Sequence, residues 1–253
     1  MAQRNKRLNY GPAKYAAFHL LLCRWMRHHA HNGQFQYITL GGTELRDIQS
    51  LHYVDHQCTC CIISFEFGKS EYELACGTRD RVHAIGLQVD VRRGDIFKFQ
   101  RGGHEPHLFF IDLKGCCVLS EYDEKFAGLL SDEHIRPGDS LFITSHLGAR
   151  RGWTTLLAEY AEELDTLEVA GMANRRLCFR RCHPSFTLFR ALHLIGFQSV
   201  IGLRCFACVE YRDKTPMALF GYTITQGTTT FLELVQNAPY FHIRHGLPSS
   251  AAG

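Results

Sequence analysis

The strongest constraint in this chain is a series of short runs that carry no charge, three of them stopping at a glycine or an acidic side chain. Phe35-Gln36-Tyr37-Ile38-Thr39-Leu40 stops at Gly41-Gly42, Cys60-Cys61-Ile62-Ile63-Ser64-Phe65 at Glu66, and Leu108-Phe109-Phe110-Ile111 at Asp112. A further run, Ser140-Leu141-Phe142-Ile143-Thr144, is entered through the turn Arg136-Pro137-Gly138-Asp139. A strand that is apolar throughout, rather than at alternate positions, has both faces covered, as central strands of a parallel sheet do.

Helical patterns alternate with these runs. Tyr15, Phe18, Leu22 and Trp25/Met26 share one face of a lead-in helix over Ala13 to His31. After Gly41-Gly42, Thr43 can cap a helix carrying Leu45, Ile48 and Leu51. A further helix is expected over Glu71 to Cys76, interrupted at Gly77, and another near Trp153. Pro184 suits a helix start, with Phe186, Phe189 and Leu192 following at helical spacing. The pattern then changes. Leu203 to Tyr211 and Met217 to Thr225 are strand-like and separated by Arg212-Asp213-Lys214-Thr215-Pro216, too short for a helical crossover, so they predict a closing hairpin.

A chain of 253 residues can bury one sizeable core, and no run approaches the ~20 apolar residues that span a bilayer. The basic start lacks a cleavage-site pattern, and the odd number of cysteines, 11, scattered through apolar runs, suits reduced buried thiols. A cytoplasmic protein with no membrane association is the expectation. Net charge is only +3, so the pairs Arg92-Arg93, Arg150-Arg151, Arg175-Arg176 and Arg180-Arg181 are either solvated charges or the lining of an anionic substrate's path.

Strands alternating with helices and closing in a hairpin resemble the class I, Rossmann-like methyltransferase superfamily, over roughly Tyr37 to Thr225. The resemblance implies a three-layer α/β sandwich with a mostly parallel seven-stranded sheet and a C-terminal antiparallel β-hairpin. It divides the chain into a helical lead-in (residues 1–34), one domain (35–245) and a disordered tail (246–253). It also implies S-adenosylmethionine as cofactor. The glycine turn Leu40-Gly41-Gly42-Thr43-Glu44 would lie against the methionine part, Glu66, followed by Phe67, would hold the ribose hydroxyls, and Asp95, followed by Ile96, would face the adenine amine. Physical reasoning agrees: ligand groups gather at the carboxyl ends of parallel strands, a carboxylate can accept both hydrogens of a vicinal diol, and glycine lets a backbone approach closely. The family's three spaced small residues are reduced here to a glycine pair, and Glu44 and Asp47 would repel a dinucleotide pyrophosphate while suiting an ammonium group. Gly94-Asp95 is equally a turn-and-cap pair.

Asp112-Leu113-Lys114-Gly115 falls where the family faces its substrate. Asp112 and Lys114 are candidates for proton transfer or substrate anchoring, and Asp112 also for contact with the cofactor, although Asp112 could equally cap a helix. The segment does not match the Asn/Asp-Pro-Pro-aromatic motif of exocyclic-amine methylation. His146, Arg150, Arg151 and Trp153 combine a titratable ring, two cations and an indole, suited to gripping an anionic or planar substrate. His183, in Arg181-Cys182-His183-Pro184-Ser185, is a candidate general base among 15 histidines. Cys205-Phe206-Ala207-Cys208 has metal-site spacing, but within an apolar strand the two thiols would face opposite ways, so no metal is expected.

Three functions fit these residues: a methyltransferase acting on nucleic acid or a small molecule, a non-catalytic nucleotide sensor or subunit of a protein complex, and a nucleotide-processing enzyme.

Overall fold

Neighbouring residues of the uncharged runs enter two different cores, one on each face of a single sheet. On β4 (His107–Asp112), Leu108 and Phe110 pack into one core while Phe109 and Ile111 pack into the other. Side chains alternate across a strand, so covering both faces demands an apolar residue at every position. The computed structural model describes residues 11–29, 34–54, 59–113, 120–131, 134–147, 158, 161–162, 164–165, 175–196, 201–212, 215–236, 239–244 and 247–250.

The remaining strands are β1 (Gln34–Thr39), β2 (Thr59–Glu66), β3 (Val89–Arg93), β5 (Ser140–His146), β6 (Ile201–Arg212), β7 (Pro216–Gln226), β8 (Tyr240–Arg244) and β9 (Leu247–Ser250). Their spatial order is β3-β2-β1-β4-β5-β7-β6-β8-β9. β1 to β5 pair in parallel, and β7 inserts antiparallel between β5 and β6. This is a Rossmann-like α/β fold, mostly parallel, with the expected hairpin at β6–β7.

Two helical layers flank the sheet. α1 (Pro12–His29), α2 (Arg46–Val54) and α3 (Lys69–His83) cover one face. α4 (Ser120–Leu129), α5 (Arg175–Leu194) and α6 (Phe231–Gln236) cover the other. α1 is built into the core rather than leading up to it. Phe18 lies 4.8 Å from Phe110 and 6.2 Å from Phe142 between ring centres, and the Trp25 indole donates to Ser140 Oγ at 2.8 Å.

Several expectations change. The sheet has nine described strands, not seven, because β8 adds in parallel to β6 and β9 folds back on β8. Leu247–Ser250, read as part of a disordered tail, is therefore a paired strand. α3 runs through Gly77 without interruption, since one glycine costs a helix only about 1 kcal/mol. α5 starts at Arg175, with Pro184 inside it. A proline removes a single intrahelical donor, and here the buried Ser185, Phe186 and Leu188 fasten the following turn to the core. A bulge between Cys205 and Ala207 adds one residue to β6, which brings Cys205 and Cys208 into the same core instead of onto opposite faces. The helix expected near Trp153 lies mostly outside the described residues.

Candidate functional site

The parallel register gathers the candidate residues along one edge. Thr39 is level with Ser64 and Phe110, Glu66 with Arg93, and Asp112 with Thr144. The loops that leave β1, β2, β3, β4 and β5 therefore all open at the carboxyl edge of the sheet.

The β1–α2 turn is tight. Leu40 N–H donates to the Phe110 carbonyl at 3.2 Å, and a side chain at Gly41 would stand 2.8 Å from Ser64 Oγ and 3.1 Å from Leu45 Cδ2. Gly41 is small because the turn is pressed onto β2. Gly42 differs: its φ of +63° favours glycine, while nothing lies within 4 Å of where a Cβ would be. Its face is open. Leu45 also has positive φ, 48°, and is held there by burial in the core. The helix begins after it, at Arg46, so Thr43 belongs to the turn and does not cap α2. The Thr43 carbonyl accepts from Thr78 of α3 at 2.8 Å, and Glu44 pairs with Arg46 at 2.5 Å.

Asp47 takes a role the sequence does not reveal. It is 1% exposed beneath the turn, and its Oδ2 accepts from Tyr37 at 2.8 Å and Thr39 at 2.6 Å. Burial pushes its carboxyl above the ordinary range. The bonds from Thr39 and Tyr37 and the Ile48 amide oppose that rise, and the charge of Asp112 adds to it.

Glu66 ends β2 and is 8% exposed, while the next residue, Phe67, is 80% exposed. The Glu66 carbonyl accepts from Gly94 N–H at 3.1 Å, which draws the β3 loop towards the end of β2. In that loop Asp95 Oδ1 accepts from Phe97 N–H at 3.1 Å and caps a single 3-10 turn, Ile96–Lys98, whose Ile96 is buried. The cap function weighed for Asp95 is thus present.

Asp112 stands at the centre of the edge with both oxygens engaged. Lys14 of α1 reaches Oδ2 at 2.5 Å and Thr144 donates to Oδ1 at 2.6 Å. His146, the last residue of β5, is partly buried. His183 is placed within α5 rather than in a loop. Lys114, Arg150, Arg151 and Trp153 lie outside the described residues. Lys14 and Thr144 escaped the sequence reading: the Lys14 partner lies 98 positions away, and Thr144 reads as an ordinary strand residue. Among the described residues no group of three or more His, Cys, Asp or Glu is placed to hold a metal ion, and no helix is long and apolar enough to cross a membrane.

No protein-family model matches the chain, and no curated protein matches it in sequence. Solved structures do match in fold. TYW2 from P. horikoshii, solved in complex with MeSAdo, aligns over 88% of this chain and 67% of its own, with a TM-score of 0.53 and 7% identity. An S-adenosylmethionine-dependent methyltransferase from Clostridium acetobutylicum aligns over 83% and 92%, with a TM-score of 0.49 and 8% identity. Mitomycin 7-O-methyltransferase covers 82% of this chain at a TM-score of 0.47 and 10% identity, and the chain spans 52% of that enzyme's length. At such identities the likeness is one of fold.

Proposed function

We propose that this chain is an S-adenosylmethionine-dependent methyltransferase. The observation that carries the reading is the carboxyl edge itself, where an open glycine turn, two acidic strand-end residues, Glu66 and Asp112, and Asp95 just past β3 lie on the side at which the loops of the parallel strands open.

The residues fit the cofactor. The open face of Gly42 leaves room beside the backbone of Leu40, Gly41, Thr43 and Glu44 for the methionine part. Glu66, nearly enclosed, offers a carboxylate for the two ribose hydroxyls, and exposed Phe67 offers an aromatic face beside it. Asp95 retains acceptor capacity for the adenine amine after capping its turn, and Ile96 provides apolar contact. When bound, the cofactor supplies an electrophilic methyl group on a sulfonium centre.

Asp112, tied to Lys14 and Thr144, serves as an anchor at the methionine end. His146, His183 and Lys114 are the residues proposed for proton transfer, and Arg150, Arg151 and Trp153 for gripping the acceptor. Positioning supplies most of such a reaction, since aligning two reactants removes their translational freedom beforehand. An anionic acceptor, either nucleic acid or a small molecule, suits the arginines.

Calorimetry with S-adenosylmethionine and S-adenosylhomocysteine tests the proposal. Both should bind, and Glu66→Ala should weaken each at least tenfold, the order expected from losing a hydrogen-bonded carboxylate. Absence of binding to either sinks it. The reduced glycine motif, Gly41-Gly42-Thr43, favours a second reading in which the ligand is bound without transfer. Tight binding with no methyl transferred to nucleic-acid or metabolite pools would select that reading.

A further inference from the structure

The two outermost strands of the sheet are finished differently. β9 carries Pro248, whereas β3 has no proline, and its outer side meets no other strand among the described residues. Proline lacks the N–H that pairing needs and is one of the devices that blunt an outer strand. The backbone of β3 has a fixed phase. Gly94 N–H donates to the Glu66 carbonyl at 3.1 Å, and successive residues turn their backbone groups to opposite sides, so Asp90 and Arg92 direct theirs at β2 while Val89, Val91 and Arg93 direct theirs outward. His83, in the last turn of α3, accepts the Val89 N–H on Nε2 at 3.1 Å. Val91 and Arg93 each present an N–H and a carbonyl to the outer side. Among the side chains, Val89 and Val91 enter the core under α3, and Asp90 and Arg92 stand on the opposite face. These two are 53% and 48% exposed, with Arg92 Nε donating to Asp90 Oδ2 at 2.7 Å.

We infer that β3 is an interface with a second copy of this chain, the two strands running antiparallel about a two-fold axis at Val91 and joining two sheets into one. Charge selects both the occupant and the register. In this arrangement Asp90 lies opposite Arg92 of the second copy and Arg92 opposite its Asp90, so the exposed face gains an ion pair on each side of the axis. The outward groups of Val91 bond to those of its own equivalent, and the Arg93 N–H faces the Val89 carbonyl of the second copy. A parallel, in-register pairing would set Asp90 on Asp90 and Arg92 on Arg92. An antiparallel pairing centred on Asp90 or on Arg92 would likewise bring like charges together. The register centred on Val91 opposes acid to base at both exposed positions and is self-complementary, as a contact between two identical surfaces must be. Because His83 holds the Val89 N–H, the ladder is short and the ion pairs carry a large share of the affinity. Asp90 and Arg92 take no part in the proposed ligand site, so this assignment stands or falls independently of it.

Sedimentation equilibrium on the full chain tests the assignment, with far-UV circular dichroism to report that each variant is folded. The wild type should dimerise reversibly. Asp90→Arg makes both exposed positions of β3 basic, and Arg92→Asp makes both acidic. In each variant the cross-strand pairs become like-charged, and the dissociation constant should rise roughly tenfold or more. Mixed in equal amounts, the two variants should form a heterodimer about as tight as the wild-type dimer, because every acidic position then faces a basic one. That arm depends on register and cannot be reproduced by variants that merely lost their fold. The assignment is overturned if the wild type remains monomeric at every concentration reached, if either variant alone dimerises as tightly as the wild type, or if the mixed variants fail to associate.

Discussion

Asp47 shows how a single residue links the stability of the turn to pH. Burial raises its carboxyl above the ordinary range, so above about pH 4 the folded chain holds a proton that the unfolded chain releases. The sign follows directly. The contribution is fully present below the unfolded value and is lost as pH rises towards the folded one, so stability declines across that window. Asp47→Asn keeps a side-chain oxygen for Tyr37 and Thr39 but cannot ionise. Urea unfolding at several pH values should show a shallower decline in this variant than in the wild type, and an identical slope would remove Asp47 as its source. Asp47→Ala takes the acceptor from two hydroxyls buried in the core, and should cost about 2–4 kcal/mol below that window, from roughly 1–3 kcal/mol for each lost partner, and less as pH rises through it.

Among the elements, the β1–α2 turn separates two kinds of glycine. Gly41→Ala introduces a Cβ 2.8 Å from Ser64 Oγ, and such overpacking typically costs about 1–3 kcal/mol. Ser64→Ala removes the atom in the way, so the double variant should be more stable than the sum of the singles predicts, by more than about 0.5 kcal/mol. Gly42→Ala meets no neighbour but keeps a φ of +63°, at a cost of about 1–2 kcal/mol that Ser64→Ala should not relieve. Urea unfolding of the five variants checks all of this, and additivity at Gly41 would mean the contact is not the cause. The turn's position was legible because β1 ends in an uninterrupted apolar run followed by two glycines. The central strands were legible for the same reason: burial on both faces leaves a continuous signature. β8 was not, because Tyr240-Phe241-His242-Ile243 is short, follows Asn237-Ala238-Pro239, and becomes a strand only against β6. Pro184 misled because its missing N–H is a local fact, whereas the packing of Phe186 and Leu188 that carries α5 through it is not. Asp112 stood out as the acidic end of a buried run. Lys14 did not, since nothing within its own helix marks it and its meaning comes from a strand 98 residues away.

At the scale of the whole molecule, the two edges of the sheet divide the work. The carboxyl edge carries the candidate ligand residues, while the amino edge holds a buried polar group with no part in the proposed site. There Asp139, 1% exposed, takes Arg101 Nη1 at 2.5 Å on Oδ2, the Arg136 amide at 2.8 Å on the same oxygen, and the His107 amide at 2.8 Å on Oδ1. This network pins the starts of β4 and β5 to each other and to the segment after β3. Removing one member of a buried ion pair leaves the other charge poorly compensated, so Arg101→Leu should cost about 3–5 kcal/mol in urea unfolding. It should nevertheless leave S-adenosylhomocysteine affinity within about twofold at temperatures where the variant is folded, because additivity generally holds for sites that share no partners. The ligand residues reach the amino edge through the strands, which pack on both faces, and through α1, whose Trp25 donates to Ser140 beside Asp139. If the folded variant instead lost affinity tenfold or more, the carboxyl edge would depend on how β4 and β5 are aligned at their starts, and the site would have to be described as a property of the whole sheet rather than of one edge.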